Sequence, residues 1–328
     1  MTHVIGVDLG GTKTAAGVVS SSGEVLLSDT IPTLNRAGGE AILDATAALI
    51  AGLVERAADA GLTVSGVGVG SAGVIDAVTG SVVSATDAIL GWAGTELAAG
   101  LSLRLSIPSS ALRAVNDVHA HALGEAWLGA AAGSSSSLMV AFGTGVGGSF
   151  VLNGAPLLGH RFVGGHVGHF ASPLAAFDGV PLPCVCGGSG HVEAIASGPA
   201  IHEAYLRFGG SSVLAADTRG VFALASGFAE KHDAGAAANS AASRTAASRA
   251  IELGASAAGQ AVGGLINILD PETVVISGGL ADAGELWLKP MEAALRQELL
   301  APLAAVPVVP ATLGNTAAIV GAAKLVLS

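Results

Sequence analysis

Two turns rich in glycine and threonine, each between apolar runs, constrain this 328-residue chain most. The first is Asp8-Leu9-Gly10-Gly11-Thr12-Lys13, between a buried-strand run at 3–9 and a hairpin partner at 14–20. The second is Phe142-Gly143-Thr144-Gly145-Val146-Gly147-Gly148, between runs at 137–142 and 147–152. Glycine lets backbone N–H groups approach an anion with no Cβ in the way, and a threonine adds a hydroxyl donor. Asp8 repels phosphate, but it can hold a hydrated Mg²⁺ that binds phosphate. One such turn reads also as an ordinary glycine hairpin with a chance aspartate. Two, in corresponding positions of two halves, predict an internal duplication whose turns clamp a nucleotide's phosphates from opposite sides of a cleft.

The rest of the pattern alternates strand and helix, which predicts an α/β fold. Strands are expected at 3–9, 14–20, 23–29, 64–70 and 111–115, with helices over 39–60 and 119–131. After the second hairpin come helices at 197–208 and 235–269, a strand at 273–276, a helix at 284–299, a strand at 306–310 and a last helix from Asn315.

Apolar residues make up 51% of the chain and charged residues 12%, so material for a core is ample. Gly, Ser and Thr interrupt every apolar run before it reaches membrane-spanning length, and the N-terminus leads directly into a strand. A cytoplasmic protein without a membrane partner is expected. The formal net charge of −11 argues against nucleic-acid binding, which needs a basic face. Cys184 and Cys186 are the two cysteines, too close for a structural disulfide framework.

Three further segments suggest chemistry. Asn116-Asp117 sits where a strand ends and a helix begins, and from position alone the aspartate reads as a helix N-cap. Val274-Val275-Ile276-Ser277-Gly278-Gly279 is either a plain strand-to-helix turn or a strand end with room for a flat ring or ribose. Gly165-His166-Val167-Gly168-His169 and Cys184-Val185-Cys186-Gly187-Gly188-Ser189-Gly190-His191-Val192-Glu193 bring two thiols and several imidazoles into one stretch, a natural tetrahedral Zn²⁺ set. His119, His121, His160, His202 and His232 suggest no role, and the first two read as helix-surface residues.

The first turn resembles the first phosphate loop of the sugar kinase, heat-shock ATPase and actin superfamily, and the whole chain resembles the ROK family (repressors, open reading frames, kinases). The shared features are the first turn, Asn116-Asp117 followed by Gly124-Glu125, and the Cys-x-Cys-Gly-x-x-Gly segment. The resemblance implies a two-lobed actin-like ATPase (ribonuclease H-like) fold with a cleft between lobes. Residues 1–116 with 315–328 would form a small N-terminal lobe, and 117–314 a large C-terminal lobe holding a zinc loop. It implies ATP and Mg²⁺ bound by Asp8, Gly10, Gly11, Thr12, Lys13, Gly143, Thr144, Gly145, Gly278 and Gly279. Asp117 would be the general base of phosphoryl transfer. Gly73, Asn116, Asp117, His166, His169 and Glu193 would contact a sugar. A structural Zn²⁺ would sit on His169, Cys184, Cys186 and His191, and the protein would be a homodimer.

Two departures from the family pattern bear on substrate. His191 stands where the zinc motif has a third cysteine. His166 stands where ROK glucokinases carry a glutamate. A carboxylate only accepts hydrogen bonds, whereas a neutral imidazole also donates one. That suits an acceptor such as an N-acetyl carbonyl. His-x-Gly-His with Val192-Glu193-Ala194-Ile195-Ala196-Ser197-Gly198 is similar to bacterial N-acetylmannosamine kinases. Transfer to the 6-hydroxyl of N-acetylmannosamine is therefore expected first, with glucose second and N-acetylglucosamine or another hexose third. The competing class is a sugar-sensing regulator without a DNA-binding domain. A repressor would carry a helix-turn-helix before the first loop, where seven residues precede Asp8. A degenerate sensor would be expected to lose Asp117 or the loop glycines.

Overall fold

The computed structural model describes residues 2–86, 88–227 and 234–327, so His232 lies outside the described residues. The chain forms two compact units. Unit 1 holds 1–137, 149–165 and 311–328, and unit 2 holds 138–148 and 166–310. The boundary drawn from sequence at 116/117 falls inside unit 1.

Unit 1 is built from β1 (His3–Leu9), β2 (Lys13–Ser20), β3 (Val25–Pro32), α1 (Gly39–Asp59), β4 (Val64–Ser71), β5 (Val74–Asp76), β6 (Ser81–Ser84), α2 (Leu97–Leu105), β7 (Leu112–Asn116) and α3 (Asp117–Trp127). Its main sheet runs β3-β2-β1-β4-β7. The hairpin strands β1 and β2 pair antiparallel, while β1, β4 and β7 run parallel. That register sets Asp8 beside Gly70 and Ser71 beside Asn116. Three carboxyl ends therefore meet at one sheet end, where open α/β sheets bind ligands.

The remaining elements are β8 (Ser136–Phe142), β9 (Val146–Leu152), β10 (Ala155–Pro156), β11 (Ala176–Phe177), β12 (Val180–Pro181), α4 (Glu193–Ala196), α5 (Gly198–Arg207), α6 (Thr218–Ala225), α7 (Ala234–Leu269), β13 (Thr273–Ser277), α8 (Glu285–Glu298), β14 (Val308–Pro310) and α9 (Ala317–Lys324). The second five-stranded sheet has the order β10-β9-β8-β13-β14. In unit 2, Trp287, Met291 and Leu295 of α8 are buried, and Gly259 of α7 lets the α8 backbone approach closely. Among the described residues no helix is long and apolar enough to cross a membrane.

Unit 1 is held together by missing side chains. On one sheet face α1 buries Ile42, Leu43, Leu49, Ile50 and Leu53 against Ile5, Val7, Val18 and Val67. On the other, α9 packs backbone to backbone. A Cβ on Gly6 would strike the Ile319 carbonyl, and one on Gly68 the Ala322 carbonyl. The helix pair α3 and α9 is equally tight, because a Cβ on Gly321 would run into the Ala120 carbonyl and one on Gly124 into the Ala317 carbonyl. Glu125, fully buried, then clamps the chain leading into α9. Its oxygens accept from Thr312 N (3.0 Å), Leu313 N (2.8 Å) and Ala130 N (2.8 Å). The Gly124-Glu125 pair thus has a packing explanation.

Three expectations need correction. The third strand starts at Val25, not 23, because Gly23 (φ 88°) closes a turn by donating to the Ser20 carbonyl. The helix expected at 119–131 spans 117–127, since Asn116 already caps it and Glu125 takes the Ala130 N–H beyond its end. His119 is 2% exposed, with Nδ1 2.9 Å from the hydroxyl of Ser149, and His121 is half-buried. Burial holds the His121 imidazole below the usual histidine range, against the pull of Glu125. Neither is a surface histidine.

Gly321→Ala should destabilise unit 1 by about 3 kcal/mol or more, since backbone rather than a mobile side chain must give way. Chemical denaturation measures it. An unchanged midpoint would refute the backbone contact.

Candidate active site

The carbonyls of the first turn are taken up by protein donors. Gly10 O accepts from Thr33 Oγ1 (2.8 Å), Gly11 O from Asn35 Nδ2 (2.9 Å), Thr12 O from Thr33 N (3.0 Å) and Lys13 O from Gly10 N (3.0 Å). Four consecutive carbonyl oxygens are engaged by protein donors, as suits a turn that meets anions with its N–H groups. Sequence reasoning missed Thr33 and Asn35. Their signal was only the polar Thr-Leu-Asn that follows β3. Lys13 is exposed, its Nζ 3.5 Å from Asn315 Oδ1.

Asp8, at the end of β1, shares this sheet end with Asp117, the first residue of α3. Burial, then repulsion from Asp117, push the Asp8 carboxyl up to about 6, with Lys13 pulling the other way. The two carboxylates come near because Gly70 separates their elements. A Cβ there would lie 2.7 Å from Ala120 Cβ and 3.4 Å from Asp117 Cα. The helix cap is Asn116, not Asp117. Asn116 Oδ1 accepts from Val118 N (2.9 Å), and its Nδ2 donates to Gly73 O (2.8 Å). Asp117 Oδ1 also accepts from Val118 N (2.9 Å). Gly73 needs its φ of 100°, and the preceding Ala72 carbonyl is held by Trp92 Nε1 (3.1 Å). Unit 1 therefore gathers Asp8, the 10–13 turn, Gly73, Asn116 and Asp117.

Unit 2 gathers the rest. Loop 142–146 is gripped at several points. Gly143 O accepts from Gly198 N (2.8 Å) and Phe142 O from Leu280 N (3.0 Å). Val146 N donates to Glu193 Oε2 (2.8 Å). Gly278 lies at φ 87° directly against the Phe142 backbone. Thr144 at the tip is exposed. Beside Gly279 opens a cavity of about 400 Å³ lined by Thr218, Arg219, Phe222, Leu280, Asp282 and Ala283. The α6 residues in it were not legible as site residues. The helix is eight residues long and contains a glycine, and its one signal is Asp217, whose carboxylate caps it at Gly220 N (2.8 Å).

His169, Cys184, Cys186 and His191 offer four ligand atoms, all within 4.8 Å of one another. Cys184 Sγ is 3.6 Å from His169 Nδ1 and Cys186 Sγ 3.2 Å from His191 Nδ1. Tetrahedral Zn²⁺ with ordinary Zn–S and Zn–N bonds needs S···N edges of about 3.6 Å, so the donor set fits that ion. The local fold explains the fit. A turn closes between Cys184 O and Gly187 N (3.0 Å), and a Cβ on Gly188 would lie 2.6 Å from His191 Cε1. Burial and the neighbouring Cys186 and Glu193 raise the Cys184 thiol, a cluster that a cation would relieve. His166 immediately precedes the 3-10 turn Val167–His169, its ring centroid 6.1 Å from that of His169.

Comparison with known proteins places the chain in a family. Residues 4–328 match the ROK family. A glucokinase from Streptomyces coelicolor is 32% identical over 333 residues, covering 99% of this chain and 98% of that protein. An N-acetyl-D-glucosamine kinase from Salmonella paratyphi A is 31% identical over 282 residues, 84% of each chain. The structure of a ROK family glucokinase from Streptomyces griseus, in complex with glucose and AMPPNP, superposes with a TM-score of 0.77. It is 29% identical and covers 98% of each chain. The chain belongs to the ROK family and is one of its ATP-dependent sugar kinases.

Proposed function

We propose that the protein transfers the γ-phosphoryl group of MgATP to the 6-hydroxyl of a hexose carrying an N-acyl group at C2, N-acetylmannosamine first among them. The observation that carries the chemistry is the carboxylate pair Asp8 and Asp117 at the carboxyl end of the unit 1 sheet. In this reading Asp117 takes the proton of the attacking hydroxyl, and Asp8 holds the hydrated Mg²⁺ that travels with the nucleotide. Asp117 stands at the first position of α3, the end of a helix that favours a negative charge. Little else is asked of the protein in phosphoryl transfer beyond alignment and charge neutralisation.

Gly10, Gly11, Thr12 and Lys13, Gly143, Thr144 and Gly145, and Gly278 with Gly279 are assigned to the nucleotide. The cavity beside Gly279 has the size for a base and ribose. Gly73, Asn116, His166, His169 and Glu193 are assigned to the sugar. A structural Zn²⁺ on His169, Cys184, Cys186 and His191 would fix the turn next to His166, with no open position for chemistry. His166 carries the substrate reading, since a neutral imidazole can donate to an acyl carbonyl where a glutamate cannot. The relative that acts on N-acetyl-D-glucosamine is compatible with a tolerated 2-acylamino group. Glucose is the second reading, favoured by the glucokinase name of the relative that covers 99% of the chain.

ADP release with MgATP over N-acetylmannosamine, N-acetylglucosamine, glucose, mannose and allose tests the substrate. Preference for N-acetylmannosamine is predicted, and His166→Glu should shift it toward glucose. An unchanged ratio in that variant would remove His166 as the discriminator. Asp117→Asn should lower kcat at least about a hundredfold while leaving sugar affinity near wild type, the range of general-base catalysis.

The raised Asp8 carboxyl gives a stability prediction with a defined sign. Its folded value of about 6 exceeds the unfolded value of 3.8, so the protonated form is favoured by folding. The associated stability is present at low pH and lost as pH rises through about 6. In magnesium-free buffer at pH 7.5, Asp8→Asn should raise Tm by a few degrees, and the gain should shrink toward pH 5. A lower Tm at pH 7.5 would contradict the burial and repulsion inferred for Asp8. For zinc, elemental analysis of protein purified without chelator should find about one ion per chain, lost in Cys186→Ser.

A further inference from the structure

We infer that Glu193 is a positioning residue for the nucleotide loop, linking loop 142–146 to the segment that carries the Cys/His cluster. The inference rests on the reading of that loop as a phosphate loop. The resemblance to the family assigns Glu193 to sugar contact alone. Its geometry here includes a second task.

Glu193 Oε2 accepts the Val146 N–H at 2.8 Å. Gly145 makes room for it, because a Cβ at that position would lie 2.7 Å from the same oxygen. Glu193 opens α4, and α5 follows at once, with Gly198 N donating to Gly143 O at 2.8 Å. The α4–α5 corner is closed by Ser197 N donating to Glu193 O (3.3 Å) and by the Ser197 side chain capping α5 at Ala200 N (3.3 Å). One short stretch of chain, 193–198, therefore grips the loop at both ends and leaves Thr144 exposed between them.

The other carboxylate oxygen faces the cluster. Glu193 Oε1 lies 3.9 Å from Cys184 Sγ. The backbone on that side is continuous with it, since Val192 N donates to Phe170 O (3.1 Å) and His191 bridges Ala171. A displacement at His169, Cys184 or His191 reaches the loop through one carboxylate. A carboxylate suits this position because both its oxygens accept, and a backbone N–H paired with a charged acceptor makes one of the stronger hydrogen bonds.

The test separates loop positioning from sugar binding. AMPPNP with Mg²⁺ is titrated calorimetrically, without sugar, into full-length wild type, Glu193→Gln, Glu193→Ala and Gly145→Ala, each checked for cooperative melting. KM for ATP and for the preferred sugar is measured alongside. Glu193→Gln keeps a carbonyl oxygen for Val146 N and should stay within about threefold of wild type for nucleotide. Glu193→Ala and Gly145→Ala should each weaken nucleotide binding about tenfold, the loss of one charge-assisted hydrogen bond. Gly145 is itself assigned to the nucleotide, so Gly145→Ala is also measured in the Glu193→Ala background. A cost that passes through Glu193 does not add to that of Glu193→Ala, whereas additive costs mean that the glycine acts on the nucleotide directly and leave Glu193→Ala, or Glu193→Asp where the first does not melt cooperatively, to decide. Nucleotide affinity unchanged in both, with KM raised for sugar alone, would overturn the inference and leave Glu193 a sugar ligand. Wild type that binds no AMPPNP would instead overturn the phosphate-loop reading on which it rests.

Discussion

Direct contact between backbones, at positions where no side chain intervenes, is the constraint on which unit 1 depends. Gly6 and Gly68 let α9 lie on the sheet, Gly124 and Gly321 let α3 meet α9, and Gly70 brings α3 down on the end of β4. None of these contacts survives the addition of a Cβ without moving main chain. Their consequence is chemical. Asp117 starts α3 and Asp8 lies one residue before the end of β1, so the helix-to-sheet distance sets how strongly the two carboxylates feel each other. A loosely packed helix would let water in and return Asp8 to ordinary behaviour.

Unit 2 uses a different device toward the same end. Its loop 142–146 is anchored at its ends by the buried Phe142 and Val146, and its backbone is held by single hydrogen bonds with Gly198, Leu280 and Glu193. Such a loop keeps its shape only while its neighbours keep theirs. The Cys/His cluster bears on one of those neighbours, Glu193, so the proposed ion would act on loop 142–146 as well as on the turn beside His166.

Much of this was legible in the sequence because it depends on residues with few other uses. Twin Gly/Thr turns, an Asn-Asp at a strand end and paired cysteines among histidines each limit the structures available. The strands β1, β2 and β4 followed from apolar runs, and α7 from its alanine-rich composition. What escaped was set by tertiary contact. Nothing local says that Asn116, not Asp117, caps α3, because either side chain can. His119 looks like a helix-surface residue until Ser149 is placed against it. The α6 residues of the cavity sit on a helix too short to show a period, and β5 and β6 are strands of three and four residues. The bond from Glu193 to Val146 spans 47 positions and leaves no trace in spacing.

The pairing of Asp8 with Asp117 is tested by the titration of Asp8 itself. Carboxyl carbon NMR of wild type and Asp117→Asn, in magnesium-free buffer, reads that group alone. An apparent pKa near 6 is expected in wild type, falling when Asp117 is neutralised yet staying above 3.8 because burial is the larger cause. An Asp8 that titrates at its ordinary value, or that does not respond to Asp117→Asn, would contradict the pairing of these two carboxylates and with it the assignment of the catalytic base.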